Sequence, residues 1–355
     1  MGIRLHKIEK ILIIQTAFIG DVVLVSPLIR ASHDLFPQAS IDALVIPSAA
    51  NSLENNPALH RLTLYDKRGR DAGVRSLLAL AGRLRRERYD LVLVPHRSLR
   101  SAFLAWWTRA ALRVGFTTSS AAFLFTHRVV YDRKRHEVER NLALLGALGQ
   151  EPGLVPPEIF PDEADHRAVD RMLASLGGTT GALIAIAPGS IWATKRWPAE
   201  SYRRLAEMVL ASGWRLVWIG SRGDRTLCTE ISEGLTGFWV NSAGELSLRQ
   251  SAELIGRAEV LVSNDSAPLH LASAMGTAAV ALFGPTIPKF GFGPLSAGSV
   301  IVQIELPCRP CSIHGGNSCP IGTHKCMTGI PPEMVFAELS NLIMRKSKHE
   351  RNHQN

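Results

Sequence analysis

The chain has 355 residues, more than one hydrophobic core usually serves, so about two domains of ordinary size are expected. Apolar residues make up 46% and charged residues 20%, and the 29 Gly and 20 Pro are scattered, which excludes a largely disordered chain. The formal charge of +9 is uneven: residues 1–160 carry 22 Lys and Arg against 14 Asp and Glu, and 161–330 carry 14 of each, so the first half either attracts an acidic partner or presents a solvated basic surface.

The opening residues Met1–Lys10 are polar, and Ile11–Ile14 is far shorter than the apolar stretch of a secretory signal. No window approaches the ~20 apolar residues of a membrane span, since even Ser101–Leu112 is short and contains Arg109. Five cysteines in such a chain suit a reducing compartment, and a cytoplasmic location is expected.

Lys10–Gln15 (KILIIQ) is a continuous apolar run of the kind buried in a parallel sheet, followed by a loop at Thr16–Gly20 and a helix from Asp21. Further strand-like runs at Ile41–Ile46 and Leu91–Pro95 alternate with helical stretches. In one of these, Val74–Arg88, the charges of Arg83, Arg85, Arg86 and Arg88 oppose Leu77, Leu80, Ala81 and Leu84. Between Glu151 and Pro161 four prolines in eleven residues exclude a helix or an interior strand and mark a linker. The rhythm then restarts: helix Asp165–Ser175, strand Ala182–Ala187, helix Ala199–Ser212, strand Arg215–Ile219, helix Leu248–Arg257, strand Val260–Ser263, helix Pro268–Met275, strand Ala278–Phe283. No short fixed period appears, which excludes a solenoid. Strands separated by helices predict two α/β, doubly wound parallel sheets, with ligands at the carboxyl ends of the strands.

The candidate residues fall in those strand-end loops. Asp21 follows Gly20, which would let the backbone turn tightly; a carboxylate there serves either as a helix-start cap or as a general base. Ser190, Thr194 and Lys195 lie between a strand end and Pro198, where hydroxyls and an ammonium suit a diphosphate, although the pattern is not that of a Walker A loop. In Ser263–His270, Asp265 and Ser266 interrupt a buried strand where it meets a helix, whose free N–H groups would receive an anion, and His270 follows in the first turns. A helix cap with a core histidine explains the same residues. Gly284 and Thr286 form another strand-end turn able to approach a phosphate or ribose, and Gly220–Asp224 is a further glycine-bearing loop. Cys308, Cys311, Cys319 and Cys326, with His314 and His324 between them, either hold a structural zinc or form a reduced, thiol-rich loop; only the first pair has the knuckle spacing.

Taken in order, ILIIQTAFIGDVVLVSPL, PGSIWATKRWP, SNDSAPLHLASAMGTAAVALFGPT and CRPC…CPIGTHKCM make the chain resemble the ADP-heptose:lipopolysaccharide heptosyltransferases of glycosyltransferase family 9, type II, over nearly its whole length. The resemblance implies a GT-B fold, two Rossmann-like domains facing a cleft. An acceptor domain would span 1–160 and a nucleotide-sugar domain 161–330, with a crossover helix at 331–345 packing back on the first domain; 346–355 would be a disordered tail. It implies inverting transfer without metal or cofactor, from ADP-heptose to an anionic lipopolysaccharide core at the inner face of the inner membrane. Asp21 would be the base and Lys195 would neutralise the departing ADP. Gly20, Ser190, Thr194, Ser266, the Ala267 N–H, Gly284 and Thr286 would line the site, Asp265 would hold sugar hydroxyls, and His270 phosphates or sugar. Ile191 and Ala267 stand where relatives often carry Thr or Gly. Arg97, Arg100, Arg109, Arg113 and Arg133-Lys134-Arg135 would meet the acceptor's anions. Competing readings are another GT-B enzyme with a different donor sugar, or an epimerase, which needs no anionic acceptor. Binding to nucleic acid is disfavoured, because no recognisable basic motif or aromatic platform is present.

Overall fold

The structure, a computed structural model, describes residues 8–150, 152–176 and 181–353, with side chains described to Lys346. It divides into two compact units, Met1–Phe160 and Pro161–Asn355, and the proline-rich stretch ends at the boundary. Glu151, Met1–Lys7, Gln354 and Asn355 lie outside the described residues.

The first unit holds six parallel strands: β1 (Lys10–Gln15), β2 (Ser40–Val45), β3 (Arg61–Leu64), β4 (Leu91–Val94), β5 (Leu112–Phe116) and β6 (His127–Val129), in the order β3-β2-β1-β4-β5-β6. Ile11 pairs with both Ile41 and Leu91, which makes β1 central. Its apolar run is continuous because helices cover both faces of the sheet. Leu12, Ile14, Val92 and Val94 form a core with Leu80 and Leu84 of the helix Val74–Arg86 and with Leu104 of the helix Leu99–Trp107. Arg83, Arg85 and Arg86 of the former are exposed, as its periodicity predicts.

The second unit repeats the plan with β7 (Leu183–Ala187), β8 (Arg215–Trp218), β9 (Trp239–Asn241), β10 (Val260–Asn264), β11 (Ala278–Leu282) and β12 (Val300–Val302), all parallel, in the order β12-β11-β10-β7-β8-β9. The two doubly wound sheets agree with the alternation of apolar runs and amphipathic helices in the sequence.

The final helix runs over Pro332–His353, so 346–353 are helical rather than the disordered tail suggested by their polar composition. Arg345, Lys346, Lys348 and Glu350 are good helix formers, and propagation costs little once the apolar turns before them are anchored. Where the resemblance implies a helix packed on the first domain, the residues it buries here, Val335, Leu339 and Leu342, join Tyr202, Leu205 and Val209 in the core of the second unit. Among the described residues no helix is long and apolar enough to cross a membrane.

Each sheet is wound outward in both directions from its middle. The loops after β1 and β4 therefore diverge at the carboxyl edge of the first sheet, and those after β7 and β10 do so in the second. A ligand crevice is expected at each of these switch points.

Candidate active site

At the first switch point β1 leads into the short helix Ile19–Val23, with Asp21 in its first turn. The Asp21 carboxylate accepts the Phe18 N–H at 3.2 Å, so the capping role is realised. Gly20 is an ordinary helical residue with no left-handed backbone, which corrects the expected tight turn: the chain bends ahead of it, at Ala17, before the extended Phe18.

Asp21 does more than cap. Burial raises its pKa to about 7 and the negative charge of Glu137 adds to this, while the Phe18 N–H and Arg97 oppose it. Glu137 is itself buried against Arg140 at 2.6 Å and accepts the Tyr131 hydroxyl at 3.0 Å. Arg97 lies over the Tyr131 ring, 4.0 Å from its centroid. From β4, His96 hydrogen-bonds Thr16 at 2.9 Å and Ser101 at 3.0 Å. Burial, with Lys67 and Arg97 nearby, holds His96 down at about 4, so it is neutral near pH 7. Lys67 donates to the Thr16 carbonyl, and burial lowers its pKa, with Arg68 and Arg100 acting in the same direction. The loops of the first switch point thus bring one carboxylate of raised pKa together with the cations Arg97 and Lys67.

Arg109 and Arg113 do not join them. They stand at the amino end of β5, the opposite edge of the sheet, where the Arg113 guanidinium donates to the Leu124 and Ala110 carbonyls and Arg109 lies over the Trp106 ring. Arg133, Lys134 and Arg135 line, with Arg128 and Tyr131, a groove of about 1050 Å³ within this unit.

At the second switch point Lys195 Nζ lies 2.6 Å from Asp265 Oδ2 and donates to the Asp265 carbonyl at 3.2 Å. Thr286 Oγ1 donates to the same Oδ2 at 2.6 Å. Side chains from the loops after β7, β10 and β11 therefore meet on one carboxylate oxygen, and only 11% of the Lys195 side chain and 7% of that of Asp265 are exposed. Asn264, fully buried at the end of β10, locks the two switch loops together. Its Nδ2 donates to the Pro188 carbonyl at 2.8 Å and its Oδ1 accepts the Trp197 N–H at 3.1 Å. The sequence places Asn264 in the polar segment just after the strand but assigns it no role, although an amide at the end of an apolar run is a signal.

Ser266 caps the helix Ala267–Met275 through its backbone, without a side-chain cap bond, and its hydroxyl lies 3.5 Å from the Gly189 carbonyl. Pro268 has no N–H and the Leu269 N–H is bonded to the Ser266 carbonyl at 3.1 Å, so within the first turn the Ala267 N–H is the donor that could meet an anion. His270, one turn on, is buried beside Phe292. The Ser190 carbonyl accepts Arg196 at 2.8 Å. Pro198 is the cap of the helix Ala199–Ala211 rather than its first residue.

Two candidates are used internally instead of facing a ligand. Thr194 is buried, and its hydroxyl donates to the Gly316 carbonyl at 3.0 Å and accepts the Gly316 N–H at 2.8 Å, so no lone donor remains for a phosphate. At Gly284 a β-carbon would stand 2.2 Å from Met327 Sδ, so the missing side chain makes room for the thioether. Gly284→Ala is accordingly expected to cost about 1–3 kcal/mol of stability by overpacking, seen as a lower denaturation midpoint, and Met327→Ala should recover part of it.

Cys308, Cys311, Cys319 and Cys326 are free thiols, and Cys311, Cys319 and Cys326 line a cavity of about 70 Å³ with Thr194, Gly316 and His324. Burial pushes the Cys311 and Cys326 thiols up. Among the described residues no three His, Cys, Asp or Glu side chains converge closely enough to hold a metal.

The family model for glycosyltransferase family 9 (heptosyltransferase) matches residues 77–317. The chain is 30% identical to lipooligosaccharide heptosyltransferase 2 of Haemophilus ducreyi, covering 94% of this chain and 99% of the relative. It shares its fold with the family 9 glycosyl transferase of Veillonella parvula at a TM-score of 0.86 and 24% identity, over 97% of this chain and 99% of that one. With the ADP-heptose lps heptosyltransferase II of Escherichia coli the TM-score is 0.79 and the identity 26%, over 95% and 99% of the two chains. With the family model matching more than half of the chain and a 30% identical relative covering nearly all of it, the chain belongs to glycosyltransferase family 9, the heptosyltransferases.

Proposed function

We propose that the chain transfers a heptose from ADP-heptose to a sugar of the lipopolysaccharide inner core, by one displacement with inversion and without a metal ion. The observation that carries this reading furthest is the convergence of Lys195 and Thr286 on the Asp265 carboxylate, in a chain similar over its length to heptosyltransferases of type 2.

In this mechanism Asp21 accepts the proton of an acceptor hydroxyl, whose oxygen bonds to the anomeric carbon as the carbon–oxygen bond to the diphosphate breaks and its electron pair leaves with ADP. A carboxylate with a pKa of about 7 is matched to that task at neutral pH. Lys195 and the Ala267 N–H offset the charge growing on the departing diphosphate. Lys195 and Thr286 both engage Oδ2 of Asp265, so a sugar hydroxyl would donate to Oδ1. In the first crevice Lys67, Arg97 and Arg100 favour an anionic acceptor, and the basic groove beside Tyr131 extends the same field. The enzyme would work at the cytoplasmic face of the inner membrane, where such an acceptor is anchored.

A panel of nucleotide-sugars tests the donor. Release of free ADP from ADP-heptose in the presence of acceptor is expected; release of UDP or GDP alone would replace this donor with another.

A further inference from the structure

The cysteine-bearing segment between β12 and the final helix takes no part in the chemistry above, yet it grips two of the three residues that meet at the second crevice. On one side it binds the residue before Lys195. Thr194 N–H donates to the Gly316 carbonyl at 3.0 Å, the Thr194 hydroxyl and the Gly316 backbone exchange two further bonds, and His324 Nε2 donates to the Thr194 carbonyl at 2.8 Å. Every polar group of Thr194 is thereby held by this one segment. Gly315, at φ +90°, lies flat on the lysine stem: a β-carbon there would be 3.1 Å from Lys195 Cγ and 3.2 Å from Cε. On the other side Cys311 N–H donates to the Pro285 carbonyl at 2.9 Å, and Arg309 donates to the Thr286 carbonyl at 3.0 Å.

Lys195 ends a single turn of 3-10 helix, Ala193–Lys195, that has no side-chain cap of its own. A three-residue turn does not hold a four-carbon side chain in place by itself. Asp265 holds the ammonium at its tip, and the segment 308–324 holds the turn and the stem behind it.

We infer that this segment is a positioning clamp for Lys195, with His324 and Gly315 as its positioning residues. The inference rests on the reading of Lys195 as the cation that meets the donor diphosphate. His324 never touches the donor: it fixes the Thr194 carbonyl, this fixes the turn, and the turn aims the ammonium. A displacement of about 1 Å at such a group costs roughly a hundredfold in rate. Since the bond lies between a loop and a turn, and not in either core, its loss is expected to move the lysine rather than unfold the unit.

The test is a set of variants in the full chain: His324→Ala, His324→Gln, Lys195→Ala and the double variant His324→Ala/Lys195→Ala. Each is assayed for kcat, for the KM of donor and of acceptor, for ADP affinity by calorimetry and for thermal stability. His324→Ala is expected to lower kcat and raise donor KM, together about 10–100-fold, with acceptor KM unchanged. His324→Gln should recover most of this, because its amide can donate to the same carbonyl. On the Lys195→Ala background the His324→Ala change should add less than about twofold, since the residue it acts through is gone. Equal losses on both backgrounds, a Gln variant as impaired as the Ala variant, or a lowered melting point with kcat unchanged per folded molecule would each overturn the clamp. If Lys195→Ala alone kept full ADP affinity and turnover, the reading of Lys195 itself would fall. Additive losses with an impaired Lys195→Ala remove only the clamp.

Discussion

Asp21→Asn is expected to lower kcat by about two to four orders of magnitude while leaving ADP affinity intact, because it removes the proton acceptor and keeps the shape. The same group sets the pH profile. Activity should rise with pH through about 7, where Asp21 loses its proton, and the variant should show no such limb. Glu137→Gln, which removes the neighbouring negative charge, is expected to move the limb to lower pH. Stability follows with the opposite sense. The folded pKa stands above the ordinary 3.8, so the folded chain holds this proton more tightly than the unfolded one. The stabilisation is full below about pH 4 and is lost as pH rises through about 7. Asp21→Asn should therefore melt higher than the parent at pH 8 and about equally at pH 4. Undiminished turnover in Asp21→Asn would sink the base assignment; so would a flat profile in the parent.

Lys195→Ala should be the most costly change in the second unit, on two separable counts. Loss of one preorganised cation at the departing diphosphate is expected to lower kcat by about 10²–10³-fold and to raise donor KM. Loss of one partner of a largely buried pair also strands the Asp265 carboxylate, for which about 3–5 kcal/mol is typical, less whatever the Thr286 hydroxyl retains. The double variant Lys195→Ala/Asp265→Ala removes the stranded charge. It is expected to regain stability in urea denaturation and to regain no turnover. Recovery of both together would make the pair a purely structural one.

The strand-end loops that carry these residues were readable because the strands before them are buried on both faces. KILIIQ, LVLV, LIAIA and AAVAL are unbroken apolar runs, and periodicity registers such runs well. The edge strands β3, β6, β9 and β12 were not readable. RLTL, HRV and WVN are short and half-exposed, and a three-residue strand takes its identity from its neighbour in the sheet rather than from its own pattern. At the sites, Lys195 and Asp265 could be named from loop position, but the meeting of Lys195 and Thr286 on the Asp265 carboxylate joins loops that follow three different strands, β7, β10 and β11. Glu137, Lys67 and His96 went unnoticed for the same reason: each is an unremarkable residue in its own segment and gains its effect from Asp21 or Thr16 far along the chain. Thr194 and Gly284 erred in the other direction. A hydroxyl and a glycine in a strand-end loop look alike whether they face a ligand or another loop, and here Gly316 and Met327 claim them.

The two sheets share one winding order, so the loops after β1 and β4 are the topological counterparts of those after β7 and β10. The same pair of positions holds Asp21 and His96 in one unit, and Lys195 and Asp265 in the other. On the proposed roles, each unit would hold one half of the chemistry, deprotonation in the first and stabilisation of the leaving group in the second, in separate loops on separate cores. On that division, substitutions in the loops of the second half would change which nucleotide-sugar is taken and leave the group that activates the acceptor hydroxyl as it is.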